Sequence, residues 1–494
     1  MTTKYSFEPY DKTDPKSIED YAQKLVGHTF NEVKSWNLTE AVGETLAEYG
    51  NRSRKGGLGN FIEERFFCYK ANSDTNADFA DAGVELKVSP YEINANGKLR
   101  AGERLVLTMI SYESAIEPEF ETSHLWNKCK LILLIYYLRD RSLKDNMDYR
   151  IDFARLFTPP KKDLEIIIND YKVIVEKIAA GKAHELSESD TMYLGACTKG
   201  ANAERSTVPQ AYYAPNVKAR KRAFCFKQPY MTYVLNSYLV PDKETYEPII
   251  KDPDELKGRT FEEYVVTRIN KYVGKSDKEL CTLFDRPYNN NKAQWIDLAY
   301  RMLGIKSNKA EEFEKAQIVV KAIRLEENGS MRENSPLPAL SFRNLINQEW
   351  EESSLFRYLN ETRFLFVVYR KKGDIYVLKG AQLWNMPYSD LNEVVYQGWI
   401  DIREVVSKGV IFTKAQQKNG IVIKNNLPKK DNNPIIHIRP HTQQTYYVLD
   451  DGEVFGKGRI SDSDELPDGR RMTKQSFWLN NTYIVSQLNP KLKE

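Results

Sequence analysis

The sequence has few of the residues that build zinc sites or disulfide frameworks. It has only five cysteines and five histidines in 494 residues. The cysteines are odd in number, lie far apart and form no Cys-x-x-Cys pair, which argues against a zinc ribbon and against a disulfide framework. We therefore expect reduced thiols and a cytoplasmic protein. The cysteines are Cys68, Cys129, Cys197, Cys225 and Cys281.

A long apolar run and a strong net charge are also missing. The most apolar run, 131–138, is far too short to span a bilayer, and the N-terminus has no apolar signal core, so no membrane association is predicted. The formal net charge is only +3, so binding to a polyanion would have to come from local basic clusters. At 41% hydrophobic content, the chain is long enough for two or three globular domains.

The segment 78–87 places two carboxylates and an amine where a nuclease would hold a divalent metal ion. Residues 81–83 predict a turn and 84–89 alternate like a strand, so Glu85 and Lys87 should project from one face, with Asp78 converging on it. A cation held by carboxylates relieves the repulsion between an anionic nucleophile and a phosphate, and a lysine beside it can orient or deprotonate water.

Acid-x-Lys triplets are weak evidence by themselves. Roughly half a dozen are expected by chance in a chain of this composition, most of them on solvated faces. Other triplets, such as 32–34 and 170–172, lack the acid, turn and apolar strand that surround Glu85. The alternative for Glu85 and Lys87 is a charged strand edge.

A further acid fits the same site. Residues 58–63 predict a helix after the glycine-rich turn 55–57, and Glu63 could face the metal from that helix. The alternative is an exposed glutamate beside Glu64.

The second half of the chain repeats the first in order. The helix-then-strand pattern of 120–126 and 131–137 recurs at 350–356 and 364–369. The helix start at 18–21 and the aromatic segment 223–226 also have counterparts, at 261–264 and 476–479. We predict a catalytic domain over 1–240, a linker over 241–258 and a second, similar domain over 259–494.

Aligning the halves tests the metal-site hypothesis. Segment 82–88 matches 316–322, which keeps Lys321 but has Val319 in place of Glu85. Because valine cannot coordinate Mg²⁺, the second domain is predicted to be catalytically inactive.

Two loops are candidates for contact with DNA. Segment 194–203, with Lys199 between Thr198 and Gly200, suits an approach to base edges, and the basic run 218–222, which ends at Arg222, could neutralise phosphates. A plain surface turn and a solvated basic face are the alternatives. The second half offers Arg439, Pro440 and His441 at the equivalent place. Pro440 argues against a helical metal site there and leaves a DNA-contact loop or a solvent turn.

Together these residues resemble the MutH mismatch-repair endonuclease and its restriction-enzyme relatives. The resemblance rests on residues 57–59 leading to Glu63, on 78–87, on 121–124 and on 193–203. Similarity to GATC-cutting type II restriction endonucleases of this group runs along nearly the whole chain and includes the long motifs 181–187 and 472–478.

The resemblance implies an α/β fold with a mixed sheet, in two tandem MutH-like domains of which the second is a degenerate pseudo-repeat. It implies catalysis by Asp78, Glu85, Lys87 and Glu63, with Asp78, Glu85 and Glu63 holding Mg²⁺, for which Mn²⁺ could substitute. The loop around Lys199 would read bases. MutH itself has Arg-Pro before that lysine, whereas this chain has Cys197 and Thr198 there and keeps Arg-Pro only at 439–440.

The function so implied is double-strand cleavage of DNA at GATC, with the second domain binding another GATC site and stimulating cleavage at the first. The expected partners are double-stranded DNA with two sites and a cognate DNA methyltransferase. The protein should be a monomer in solution that could dimerise on DNA. Two alternatives stay open, a MutH-like nicking endonuclease for repair and a non-catalytic, sequence-specific DNA-binding protein.

Overall fold

The computed structural model describes residues 10–36, 56–69, 76–94, 97–200, 206–240, 246–289, 291–306, 309–417 and 420–494. Part of the predicted linker, 241–245, and the end of the predicted base-reading loop, 201–203, lie outside the described residues. No helix among the described residues is long and apolar enough to cross a membrane.

The chain divides into two units. The first comprises Met1–Phe261 and Lys309–Ala316, and the second comprises Glu262–Asn308 and Gln317–Glu494. The return of 309–316 to the first unit was not predicted. Within that unit, Lys315 lies 2.5 Å from Asp163, and the carboxylate of Glu312 accepts the N–H groups of Ile249 and Ile250.

The first unit contains a mixed four-stranded sheet in the order β2-β1-β4-β5. Strand β1 (Glu85–Ile93) runs parallel to β4 (Ile132–Leu138), which pairs antiparallel with β5 (Arg150–Phe157). Strand β2 (Leu99–Ala101) pairs antiparallel with the other edge of β1. The first five residues of β4 are buried, as expected for an apolar central strand. The predicted mixed α/β fold is confirmed.

A second sheet in the first unit carries the predicted base-reading loop. Strands β3 (Leu105–Met109), β9 (Arg222–Phe226) and β6 (Leu194–Thr198) form an antiparallel sheet in the order β3-β9-β6. Strands β7 (Thr207–Gln210) and β8 (Ala214–Arg220) form a separate hairpin.

Three helices of this unit begin at a side-chain cap, supplied by Asp14, Thr29 and Ser123. The Ser123 side chain accepts the N–H of Trp126 and so caps α4, and Asp14 caps α1 in the same way. The helices are α1 (Pro15–Ala22), α2 (Phe30–Lys34), α3 (Gly57–Phe61), α4 (His124–Cys129), α5 (Lys161–Ala179) and α6 (Gln228–Val234), with a π-helical turn, Ile62–Phe66, continuing α3.

The second unit has a three-stranded sheet with the same pairing as β1, β4 and β5, without a strand among the described residues in the place of β2. Strand β10 (Ile318–Leu325) runs parallel to β12 (Arg363–Lys372), which pairs antiparallel with β13 (Ile375–Trp384). A three-stranded antiparallel sheet has the order β11-β21-β16, which corresponds to β3-β9-β6. Its strands are β11 (Ser335–Ala339), β21 (Gln475–Leu479) and β16 (Ile436–Pro440).

The remaining elements belong mostly to the second unit. The helices are α7 (Phe261–Asn270), α8 (Asp277–Leu283), α9 (Lys292–Met302), α10 (Glu311–Ala316, in the first unit), α11 (Phe342–Asn347), α12 (Ser354–Glu361), α13 (Tyr396–Lys408), α14 (Asn481–Gln487) and α15 (Pro490–Lys493). The strands are β14 (Phe412–Gln417), β15 (Gly420–Asn425), β17 (Tyr447–Val448), β18 (Val454–Phe455), β19 (Ser463–Glu465) and β20 (Arg471–Thr473).

Candidate active site

A tight turn brings Asp78 beside the start of β1. Phe79 and Val84 form a β-bridge across this turn, and Gly83 adopts a φ of +65°, a conformation that glycine tolerates best. Asp78 Oδ2 accepts the N–H of Leu86 at 2.8 Å. The predicted turn and strand are therefore present, and they hold Asp78 next to Glu85.

Glu85 is a buried carboxylate held by two lysines. Its side chain is 2% exposed, with Oε1 at 2.5 Å from Lys87 Nζ and Oε2 at 3.0 Å from Lys128 Nζ. Burial raises the pKa of Glu85, and the negative charge of Asp78 raises it further. The positive charges of Lys87 and Lys128 lower it. A buried charge needs such partners, because desolvation costs several kcal/mol per ion. The alternative of a charged strand edge does not fit this degree of burial.

Glu63 joins the same electrostatic cluster. It lies in the π-helical turn after α3, and burial raises its pKa to about 7, with the charge of Asp78 as the next largest cause. Lys87 lowers this pKa and Glu85 raises it, so all four predicted catalytic side chains influence one another. Glu63 is half-buried and Glu64 is buried, so neither is the exposed glutamate of the alternative.

The donor set suits a hard divalent cation. Carboxylate oxygens are the ligands that Mg²⁺ and Mn²⁺ prefer. Within the described ranges, no three His, Cys, Asp or Glu side chains are already arranged to hold a metal ion. Each oxygen of Glu85 accepts from one lysine ammonium group, so a cation that binds Glu85 would either share these oxygens with the lysines or displace them.

Lys128 is a site residue that the sequence did not reveal. It lies near the end of α4, is 7% exposed and donates to Glu85. Strand β4 starts just after this helix, and its parallel pairing places Ile132 opposite Glu85. A signal existed in the sequence, since the segment before β4 must lie beside the start of β1 if the two strands are parallel.

The predicted base-reading residues lie at the end of β6. Thr198 is the last residue of the strand, and the Lys199 N–H donates to the carbonyl of Lys221 at 2.8 Å. Gly200 has a φ of +103°, and a Cβ there would lie 2.1 Å from Ser206 Oγ, so the loop requires glycine at this position.

Arg222 has a different role from the predicted phosphate contact. It is 3% exposed, and its guanidinium donates to the carbonyls of Ala196, at 2.5 Å, and Leu186. The buried Arg222 side chain therefore stabilises β6 through its hydrogen bond to the carbonyl of Ala196. Lys218 and Lys221 are the exposed lysines of this basic run.

In the second unit, Arg439 and His441 are exposed at the end of β16. The guanidinium of Arg439 lies 4.5 Å from the ring centre of Trp478, and the His441 ring lies 6.4 Å from it. His437 is buried, with Nδ1 2.7 Å from Asn480 Oδ1, so it does not form a metal-binding pair with His441.

Comparison with known proteins decides the family. The family model described as DNA mismatch repair enzyme MutH matches residues 67–170. The type II restriction enzyme Sau3AI of Staphylococcus aureus is 35% identical over 96% of this chain and 100% of its own length. This chain belongs to the MutH-like type II restriction endonucleases. The family prediction is confirmed, and the chain is an enzyme that hydrolyses DNA phosphodiester bonds.

The mismatch-repair proteins cover a smaller part of this restriction endonuclease. MutH of Vibrio campbellii is 26% identical over 46% of the chain and 97% of its own length. MutH of Yersinia enterocolitica is 25% identical over 45% of the chain and 93% of its own length. Whole MutH proteins thus match less than half of the restriction endonuclease, and the family model spans Asp78, Glu85, Lys87 and Lys128.

Proposed function

We propose that this restriction endonuclease cuts both strands of DNA at GATC. It would use Mg²⁺ bound at the carboxylate cluster of the first unit, which consists of Asp78, Glu85 and Glu63. The observation that carries the proposal is the burial of Glu85 between Lys87 and Lys128, with Asp78 and Glu63 beside it. Solvated surface charges do not need a buried group of acids and lysines. A hydrolase that acts on a phosphodiester needs charged groups at its active site, because negative charge builds up at the reacting phosphate.

Each side chain has a distinct task in this proposal. Asp78, Glu85 and Glu63 would hold the cation, for which we expect Mn²⁺ to substitute. The cation would neutralise charge on the phosphate and make bound water more acidic. Lys87 would orient the attacking water and help to remove its proton. Lys128 would keep Glu85 ionised, because a nearby cation favours the charged form of a buried carboxylate.

Recognition is assigned to the end of β6. Thr198, Lys199 and Gly200 would approach base edges in the major groove, where a lysine can donate to guanine. Arg222 supports this strand by fastening Ala196, and the exposed Lys218 and Lys221 would contact phosphates. GATC is the sequence that the resemblance to this family implies.

The second unit is proposed to bind a second GATC site without cutting it. Val319 takes the place of Glu85, and Tyr358 follows Ser353 at the spacing by which Lys128 follows Ser123. Lys321 remains, but burial alone lowers its pKa, with no carboxylate contributing among the described residues. The exposed Arg439 and His441 would make the DNA contacts.

We assign catalysis to 1–240 and second-site binding to 259–494, with 241–258 between them, except that 309–316 belong to the first unit. The matching strand orders of the two units support this duplication. A cytoplasmic location, a cognate methyltransferase that protects host sites and a monomer that dimerises on DNA complete the proposal. Cys129, Cys197, Cys225 and Cys281 are free thiols, which fits a reducing compartment.

The test compares Mg²⁺-dependent digestion of plasmids that carry one or two GATC sites. Tethered sites raise the effective local concentration of the second one, so the two-site plasmid should be linearised faster at low enzyme concentration. Equal rates would contradict second-site binding. Products with a single nick would instead support a MutH-like nickase, and uncut plasmid would support a non-catalytic DNA-binding protein.

A further inference from the structure

Tyr69 lies beside the carboxylate cluster and has no assigned task. It follows the π-helical turn that carries Glu63, and its backbone N–H donates to the carbonyl of Glu63 at 3.1 Å. Its ring packs edge-on against Phe79, the neighbour of Asp78, with ring centres 5.4 Å apart. Two elements of the site therefore fix the position of this ring.

The hydroxyl of Tyr69 is buried without a hydrogen-bond partner in the part of the chain that the structure describes. An unpaired buried hydroxyl costs about 1–3 kcal/mol, so it calls for an explanation. Burial, followed by the charges of Asp78, Glu63 and Glu85, raises the pKa of this hydroxyl far above its usual range. Tyr69 therefore stays protonated next to three acids and can act as a donor but not as a base.

Asp78 offers the matching acceptor. Its Oδ2 accepts the N–H of Leu86, whereas Oδ1 has no donor among the described residues. Asp78 also makes the largest charge contribution to the raised pKa of Tyr69. A cation at the cluster would keep its acids ionised, and hydrogen bonds to ionised carboxylates are about twice as strong as neutral ones.

We propose that Tyr69 is a positioning residue for the cleavage reaction, whose hydroxyl donates a hydrogen bond to Asp78 Oδ1 when the cluster holds its divalent cation. This inference rests on the proposed metal-dependent function. The hydrogen bond fixes the orientation of one metal ligand, while the second lone pair of Oδ1 stays available to the cation. Tyr69 acts through Asp78 and does not touch the substrate.

The chain supplies a matched control. Tyr136, on β4, also has a buried hydroxyl without a partner among the described residues, but the carboxylate that raises its pKa is Glu103 and not a cluster acid. Tyr69→Phe and Tyr136→Phe each remove one unpaired hydroxyl and nothing else. Only Tyr69→Phe should change metal binding.

The experiment measures Mg²⁺ binding to the full-length, DNA-free protein by titration calorimetry, and thermal unfolding in EDTA. We expect Tyr69→Phe to weaken Mg²⁺ binding by about tenfold, the size of a charge-assisted hydrogen bond, and Tyr136→Phe to match the wild type. In EDTA, neither variant should melt at a lower temperature, since each loses an unpaired hydroxyl. In cleavage assays, Tyr69→Phe should raise the KM for Mg²⁺ while kcat at saturating Mg²⁺ changes little.

Unchanged Mg²⁺ affinity in Tyr69→Phe would overturn the inference alone, provided that the wild type binds Mg²⁺ and cuts GATC. A lower melting temperature of Tyr69→Phe in EDTA would also overturn it, by making the hydroxyl a structural group. A wild-type protein that binds no divalent cation would overturn both this inference and the proposed function.

Discussion

Lys128 Nζ lies 3.0 Å from Glu85 Oε2, and both side chains are buried. Lys87 occupies the other oxygen of the same carboxylate. The two lysines on this one acid oppose the rise in the pKa of Glu85 that its burial causes.

Lys128→Met should slow cleavage and move its rising pH limb to higher pH. The ionised form of Glu85 loses one cation, so its pKa rises further and more alkaline conditions are needed to ionise it. Lys130→Met is the matched control, because Lys130 lies two residues away and its ammonium group donates to Asn127 and not to Glu85. Cleavage rates over a range of pH test this, and identical profiles for the two variants would refute the role of Lys128.

Mg²⁺ binding to the DNA-free enzyme should strengthen as the pH rises toward neutrality and level off above it. Glu63, with a pKa of about 7, holds a proton below that pH, and the cation competes with this proton. Calorimetry in buffers of different ionisation enthalpy should detect proton release near pH 6 and little above pH 8. Glu63→Gln should remove the proton release, and its persistence would assign the proton to another group.

The same raised pKa has a consequence for stability without metal. Between about pH 4.5 and pH 7, Glu63 holds a proton in the folded protein, whereas in the unfolded protein it has already lost that proton. The contribution of Glu63 to the free energy of unfolding is therefore favourable at low pH and falls as the pH rises through this window. Denaturation in EDTA should show Glu63→Gln gaining stability over the wild type as the pH is raised.

Arg222→Ala should destabilise the first unit and leave the salt dependence of DNA binding unchanged. Removal of its guanidinium leaves the buried carbonyls of Ala196 and Leu186 without these donors, at a cost of about 1–3 kcal/mol. Lys218→Ala should leave the melting temperature unchanged and reduce the salt dependence of DNA binding. The slope of the logarithm of the binding constant against the logarithm of the salt concentration should fall in magnitude by about 0.9. If Arg222→Ala folds stably and its DNA binding depends less on salt, Arg222 contacts a phosphate after all.

Lys199→Ala should reduce discrimination between GATC and altered sites by about 1–3 kcal/mol, because it removes a base contact. Lys221→Ala should weaken binding to every sequence about equally. Binding titrations on matched duplexes separate the two effects, and a uniform loss for Lys199→Ala would make that lysine a phosphate contact.

The sequence predicted the features of the site that depend on local order. The turn, the alternation of β1 and the order of acids are encoded within ten residues, and they place Asp78, Glu85 and Lys87 as found. Lys128 was missed because its contact with Glu85 depends on parallel pairing with a strand more than forty residues away. Arg222 was misassigned because a basic run does not show which side chain points inward.

The sequence also did not predict the whole division of the chain into two units. Lys315 is fully buried in the first unit, with Asp163 and Glu311 as partners. No local pattern predicts that a helix from the second half packs there, because its partner Asp163 lies 152 residues earlier in the chain. The helix followed by a buried strand in each half, by contrast, was predicted from the repeated pattern, and it is present as His124–Cys129 with Ile132–Leu138 and as Ser354–Glu361 with Arg363–Lys372.

The cutting site is proposed to lie in the first unit, around Glu85. Strand breaks made by Glu85→Gln on a two-site GATC plasmid with Mg²⁺ should be counted, with Glu121→Gln as an exposed-acid control and DNA binding measured in parallel. We expect at least about a hundredfold loss of cleavage for Glu85→Gln, with GATC binding retained, and wild-type cleavage for the control. Cleavage by Glu85→Gln at a rate near that of the wild type would show that the cutting site does not depend on Glu85.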